Sequence, residues 1–405
     1  MIMKEQSRGT DTNYRTHIGA LSLTKLADGL LDPKLVLAWL LTVLGASATW
    51  VGMLVPVREA GALLPQLLTA EPIRRLPVRK WAWIAGSVVQ GAAAAGIAVA
   101  ALVLEGAAAG ATIVALVALL AIARSVSSVS YKDVLGKTVE KERRGRVSGT
   151  AAAIAATGVL VFGLLLLFGV FDRFAIVVSA LGVAGVLWVL AALVFTRLHE
   201  EPSAPPAEAE DGVVRRYLRY LRSDGELQKL ILARGLLLAT AIAPPYLILL
   251  AGEAAGTVFT QIGALVIASS LAAFVSGRIW GVFSDRSTPM ALTTAGAAAA
   301  ASLLAAVFAA GQGYFSNMVV LPGLLFVLMV AYQGVRIGRA TQLVNIANED
   351  TRTAYTAISN TIIGVALLLT GGLGLLVPIV GLSTIVVLLA VSCLAGALVA
   401  SRMQA

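Results

Sequence analysis

Six ionisable residues stand in stretches otherwise apolar enough to lie in lipid: Lys25, Asp28, Asp32, Arg58, Glu59 and Arg124. An isolated charge at the centre of a membrane helix costs about 2.5–3.5 kcal/mol, so six left unpaired would cost roughly 15–20 kcal/mol. That exceeds the ~5–15 kcal/mol by which a protein usually holds its fold. The six must therefore pair, lose their charge or face water. Three carboxylates close together do not all ionise cheaply, so at least one can take up a proton. Asp28, Asp32 and Glu59 are thus candidate proton carriers, with Lys25, Arg58 and Arg124 as charge partners or solute contacts. At about 100° per residue, Lys25, Asp28 and Asp32 share one helix face within about 60°, and Lys34 points roughly opposite. Pro33 is a place where that helix can bend.

The elements that hold these charges follow from composition. Of 405 residues, 58% are hydrophobic and 13% charged, about half the charged fraction of a soluble protein. Apolar runs of about 20 residues recur, each long enough to cross a bilayer as a helix. The breaks between them predict twelve transmembrane helices near 18–44, 49–70, 81–104, 110–131, 149–171, 174–196, 229–251, 257–280, 289–311, 316–335, 353–379 and 382–401. Lys and Arg gather in alternate breaks: 74–80, 132–146, 197–229, 278–286 and 336–352. The intervening breaks hold a single base, Arg173. The positive-inside rule then places both termini and every basic loop in the cytoplasm of an inner membrane. The net charge of +9 is thereby assigned to anionic lipids of the inner leaflet, not to nucleic acid.

The span count divides evenly. Residues 1–198 form an N-terminal six-helix half and 229–405 a C-terminal one. Residues 199–228 form a cytoplasmic linker: "HEEPSAPPAEAEDG" is proline-rich and acidic, and "VVRRYLRYLR" (213–222) reads as an amphipathic surface helix. The halves echo one another, "ERRGRVSG" (142–149) after span 4 and "DTRTAYTA" (350–357) after span 10, with Arg144 and Arg352 in register. Paired halves of this kind mark transporters whose solute site lies between them. The second half offers no acid at mid-depth. Its polar residues Tyr246, Gln261, Tyr332, Gln333 and Asn360 are candidate solute contacts, and Pro244-Pro245 a candidate helix break.

At these residues the chain resembles the major facilitator superfamily. The family's G-x-x-x-D-R loop signature appears as "GVFSDR", with Gly281, Asp285 and Arg286. In the first half, "AEPIRRLPVRK" has Ala70 and Arg74 where Gly and Asp are expected, with Glu71 the acid available to stand in. The resemblance implies an all-α fold of two pseudo-symmetric six-helix halves and inner-face gating by Gly281, Asp285, Arg286, Arg144 and Arg352. Proton-antiporter signatures are not matched: "RSVSS" follows Arg124 with serines in place of Gln and Gly, and span 5 has no Gly-Pro.

The expected function is secondary active transport of a small organic or amphiphilic solute by alternating access, coupled to protons, in a monomer. The alternatives are a lipid or lysolipid translocator and a non-transporting receptor or scaffold with a transporter fold. An enzyme is excluded for want of a nucleophile–base constellation. No cofactor is expected, since "VLGKT" lacks the first glycine of a phosphate loop (Tyr131 stands there), and no metal, since His17 and His199 sit in no ligand cluster.

Overall fold

The computed structural model describes residues 2–169, 171–203, 220–255 and 258–404; side chains at 2–11, 67–68, 141–142, 255, 258–259, 278, 285, 349–350 and 353 are not included in that description. The expected surface helix at 213–222 therefore lies, up to residue 219, outside the described residues. Among the described residues the secondary structure is helical throughout, without strands. This is the outcome the bilayer demands of an apolar chain, because a helix satisfies its backbone groups internally.

The first helices are α1 (Ile2–Leu31), α2 (Val36–Val43), α3 (Ala48–Leu63), α4 (Pro65–Arg75), α5 (Lys80–Val103), α6 (Gly106–Thr138), α7 (Lys141–Phe168) and α8 (Arg173–Thr196). After the linker come α9 (Gly225–Leu236), α10 (Ala239–Ala255), α11 (Val258–Arg286), α12 (Thr288–Gly311), α13 (Val320–Ile346), α14 (Glu349–Gly371), α15 (Leu373–Val380) and α16 (Leu382–Ala400). Ten segments among the described residues are long and apolar enough to cross a membrane, from α5 onwards, with α9–α10 and α14–α15 each counted as one. The expected spans 1 and 2 do not qualify. Asp32-Pro33 divides α1 from α2, Pro65 opens α4 one residue after α3 ends, and both regions carry the interior charges. The residue before a proline is pushed out of the helical region, which accounts for the first break.

Pro244-Pro245 does not break its helix; both lie inside α10, and the interruption falls at Leu237–Leu238. A proline ring crowds the carbonyl four residues back. The distortion it demands is thus displaced towards the helix start, close to where the chain actually breaks.

The chain forms two compact units. One comprises Met1–Asp32, Val57–Phe162 and Gly169–Ala209; the other comprises Pro33–Pro56, Gly163–Phe168 and Glu210–Ala405. In the first, α5 packs on α6 and α8, and α1 on α8. Two glycines set one of these crossings: a Cβ on Gly91 would sit 2.8 Å from the Gly185 carbonyl, and one on Gly185 2.9 Å from the Gly91 carbonyl. Small residues let helix backbones approach closely where lipid supplies no hydrophobic driving force. Below that crossing, Trp83 stacks on Phe195 with ring centroids 4.0 Å apart, and His17 meets Phe195 edge-on. In the second unit, α12 packs on α13 and α16, and α11 on α13.

Candidate functional site

The interior charges of the first unit converge. Asp28 on α1 accepts from Arg58 Nη2 on α3 at 2.8 Å through Oδ1, and from Arg124 Nη1 on α6 through Oδ2. One carboxylate thus ties three helices, and both of its oxygens are engaged by guanidiniums. Arg58 is the deeper partner, its side chain 10% exposed against 39% for Arg124. Glu59 lies near enough to act electrostatically on both arginines, which also repel each other. Cost alone required these residues to pair, lose their charge or face water, and Asp28, Arg58 and Arg124 pair. It did not say that Arg58 and Arg124 share a single acid.

Beside the cluster, within the same unit, lies a cavity of about 190 Å³. Lys25 and Asp28 enter it from α1, Arg124 and Ser127 from α6, Ser87 and Gln90 from α5, and Trp188 from α8. Gln90 Nε2 donates to Ser127 Oγ at 3.3 Å. Gly86 lets α5 approach here, since a Cβ on it would meet Ser127 Oγ at 2.3 Å. Asp32 is half-buried and does not line this cavity.

The candidate contacts of the second half scatter. Tyr332 accepts from Lys34 Nζ at 3.3 Å, with the ammonium 4.6 Å from the ring centroid; both belong to the second unit. Lys34 lies in the turn between α1 and α2, so the helical spacing counted from Asp28 does not extend to it. Asn360 Oδ1 accepts from Arg234 Nη2 at 3.0 Å, beside Ser359 Oγ at 2.6 Å from Nη1. Gln261 is buried and donates to the Phe315 carbonyl at 3.1 Å, which holds a turn. Tyr246 is buried against Gly52, with its hydroxyl unbonded among the described residues. Gln333 is half-buried on α13.

The gating residues also divide. Arg144 donates to the Val139 and Gly136 carbonyls at 2.9 and 2.6 Å, satisfying carbonyls at the end of α6. Gly281 lies in α11, and a Cβ there would meet nothing within 4 Å. Arg286 closes α11, Arg352 is exposed on α14, and the Asp285 side chain lies outside the described residues.

In the first-half loop Glu71 pairs with Arg75 at 3.0 Å on the exposed helix surface. Glu200 lies against the start of α5. Its carboxylate accepts from the Arg79 and Lys80 backbone amides at 3.0 and 2.6 Å and from Lys137 Nζ at 2.9 Å, with no side-chain surface exposed. Arg79 itself reaches Asp133 at 3.1 Å. Lys80 Nζ returns to the Thr196 and Leu198 carbonyls at the end of α8. Glu200 thus meets the positive end of α5 and Lys80 the negative end of α8. Replacing Glu200 with glutamine keeps one acceptor but turns the other into a donor facing amides. It is expected to cost about 1.5–3 kcal/mol, read as a lower apparent Tm of the purified protein.

Among the described residues no three His, Cys, Asp or Glu side chains converge to hold a metal. A multi-pass helical bundle with an ion cluster and a polar cavity inside an apolar body defines a membrane transport protein rather than an enzyme. The chain belongs to the Major Facilitator Superfamily, whose family model matches residues 20–369. Among solved structures it is similar to a POT family transporter bound to a thioalcohol-conjugated peptide (12% identity, TM-score 0.73, covering 95% of this chain and 94% of that one). A mutant of the nucleoside transporter NupG is similar at 14% identity and TM-score 0.73, covering 97% of this chain and 100% of that one. A POT family transporter bound to 5-aminolevulinic acid is similar at 11% identity and TM-score 0.73, covering 95% and 94%. No protein of curated function matches in sequence.

Proposed function

We propose that this membrane transporter moves a small organic solute by alternating access in an inner membrane, driven by protons and acting as a monomer. The observation that carries this reading is the single carboxylate of Asp28 shared by two arginines beside a polar cavity. A proton arriving at Asp28 competes with a guanidinium for the same oxygen. Arg124, the more exposed partner and a cavity-lining residue, is the one released to a solute. Glu59 and Asp32 serve as the acids through which protons reach or leave the cluster, with Lys25 adjusting the local charge. Each proton carried down a 100 mV potential makes about 2.3 kcal/mol available.

In this reading α1–α2 and α3–α4 are two further broken spans. They complete twelve in two halves, 1–198 and 229–405, joined by the 199–228 linker. The basic loops and both termini face the cytoplasm. Tyr246, Gln261, Tyr332, Gln333 and Asn360 shape the second half's side of the path. Gly281, Asp285, Arg286, Arg144 and Arg352 act at the inner face.

The test is solute-driven alkalinisation or acidification in proteoliposomes carrying an internal pH dye. The panel begins with a dipeptide, a nucleoside and 5-aminolevulinic acid, the ligand types named for the similar structures. Wild type is expected to couple at least one solute to proton movement, and Asp28→Asn to lose the coupling. Solute flux in wild type that ignores an imposed pH gradient would overturn proton coupling.

A further inference from the structure

The geometry points to α7 as the element that positions Asp28: a reciprocal contact between α1 and α7 holds the carboxylate in register with Arg58 and Arg124. This rests on reading Asp28 as the group that couples protons, and it adds the residues that place it.

Two glycines carry the contact, one on each helix. A Cβ on Gly29 of α1 would fall well inside van der Waals contact with Val159 Cγ2 of α7, and 3.6 Å from the valine Cβ. A Cβ on Gly158 of α7 would stand 2.6 Å from Leu26 Cδ1 of α1 and 3.1 Å from its Cδ2. Each helix thus offers a notch and fills the notch of the other. Val159 has little freedom to move aside, because a β-branched residue in a helix keeps essentially one χ1 rotamer. All four residues belong to the first unit.

Their place on α1 gives the contact its consequence. Leu26 and Gly29 are three apart and share a helix face, and Asp28 lies between them in the chain. At about 100° per residue, Asp28 points about 130° away from the middle of that face. So α7 backs α1 on one side, while from the other Asp28 reaches Arg58 on α3 and Arg124 on α6. A carboxylate whose two oxygens accept from different helices tolerates little rotation of its own helix, since hydrogen bonds weaken steeply as their angles close. The two notches fix both the rotation of α1 and its distance from α7. The packing of α8 on α1 at Gly19, whose Cβ would meet Val194 at 3.8 Å, lies about two and a half turns earlier.

Both helices also change unit close by. The chain leaves the first unit at Asp32–Pro33, just past α1, and again within α7 at Phe162–Gly163. Each point is about one turn beyond the contact. A bend at either one is therefore borne beside Asp28.

Phenylglyoxal modification of the detergent-purified full chain, followed at single arginines by peptide mass spectrometry, tests this. Arg124, its side chain 39% exposed, is the readout, and Arg352, exposed on α14, is the internal standard. Gly29→Ala and Gly158→Ala are each expected to speed Arg124 modification about threefold, and Asp28→Asn about tenfold, with Arg352 unmoved. Val159→Ala alone empties the Gly29 notch without creating an overlap that would prevent folding, and is expected to speed it about twofold. Combined with Gly29→Ala, Val159→Ala refills the contact and is expected to return Arg124 to near its wild-type rate. An unchanged Arg124 rate in all three single α1–α7 variants would overturn the positioning role while leaving Asp28 as the coupling acid. A faster rate in Gly29→Ala that Val159→Ala does not reverse would overturn it too, because the effect would not come from this contact. An unchanged Arg124 rate in Asp28→Asn would instead strike the ion triad itself, and with it the proposed coupling.

Discussion

Asp28→Asn is expected to lower the apparent Tm by several degrees and to abolish solute-driven proton movement. The substitution preserves volume, so packing is untouched; what changes is charge. Arg58, its side chain 10% exposed, and Arg124 would remain side by side without the carboxylate that holds them together. Removing one member of a buried ion pair typically costs about 3–5 kcal/mol, because the remaining charge is stranded. In a chain of this size that corresponds to a shift on the order of 5 °C. The same physics predicts a rescue. Arg58→Met in the Asp28→Asn background should recover much of the loss, and Arg124→Met less, because the more exposed Arg124 is already partly solvated. A double-mutant cycle on Asp28 and Arg58 should show a coupling of about 0.5–3 kcal/mol. Additive losses would mean that the pair contributes nothing and that the triad is incidental. Thermal unfolding followed by tryptophan fluorescence reads all of these variants, and none of the rescued proteins is expected to regain proton movement.

What could be read from the chain before its structure follows from the range of each signal. The helices from α5 onwards match the apolar runs because hydropathy is local and the bilayer enforces it. That Asp28, Arg58 and Arg124 had to pair, lose their charge or face water was readable because an unpaired interior charge is expensive wherever it sits. Which oxygen meets which guanidinium depends on how α1, α3 and α6 cross, and no local pattern records that. Glu200 was misread for the same reason. It lies in a proline-rich, acidic stretch with the composition of a solvated linker, yet two backbone amides at the start of α5 and Lys137 draw its carboxylate into full burial. Pro244-Pro245 shows a local rule applied at the wrong address, since a proline disturbs the turn before it rather than its own position.

Gly263→Val is expected to prevent recovery of folded protein, and Gly263→Ala to lower its stability by about 3 kcal/mol, the upper end of the usual cost of overpacking. Gly263 on α11 faces Leu166 and Leu167 at the end of α7, within the second unit. A Cβ there would stand 2.2 Å from the Leu167 amide nitrogen, 2.6 Å from its Cα and 2.7 Å from the Leu166 carbonyl carbon. All three are backbone atoms, so no rotamer change relieves the overlap and the two helices must separate. The end of α7 has little room to retreat, because Gly169 turns the chain there in the left-handed region at φ 61° and a residue with a Cβ fits that conformation poorly. Gly277 and Gly281 lie on the same helix, and a Cβ at either would meet nothing within 4 Å. Alanine is favoured over glycine in a helix by about 0.8–1 kcal/mol, so Gly277→Ala and Gly281→Ala should leave the apparent Tm unchanged or raise it. The contrast separates packing from motion. If Gly281→Ala keeps its stability yet slows solute flux, the motif glycine acts while the protein changes conformation and not in the state described here. If Gly263→Ala is as stable as wild type, the close approach of α7 and α11 is not what holds that part of the second unit together.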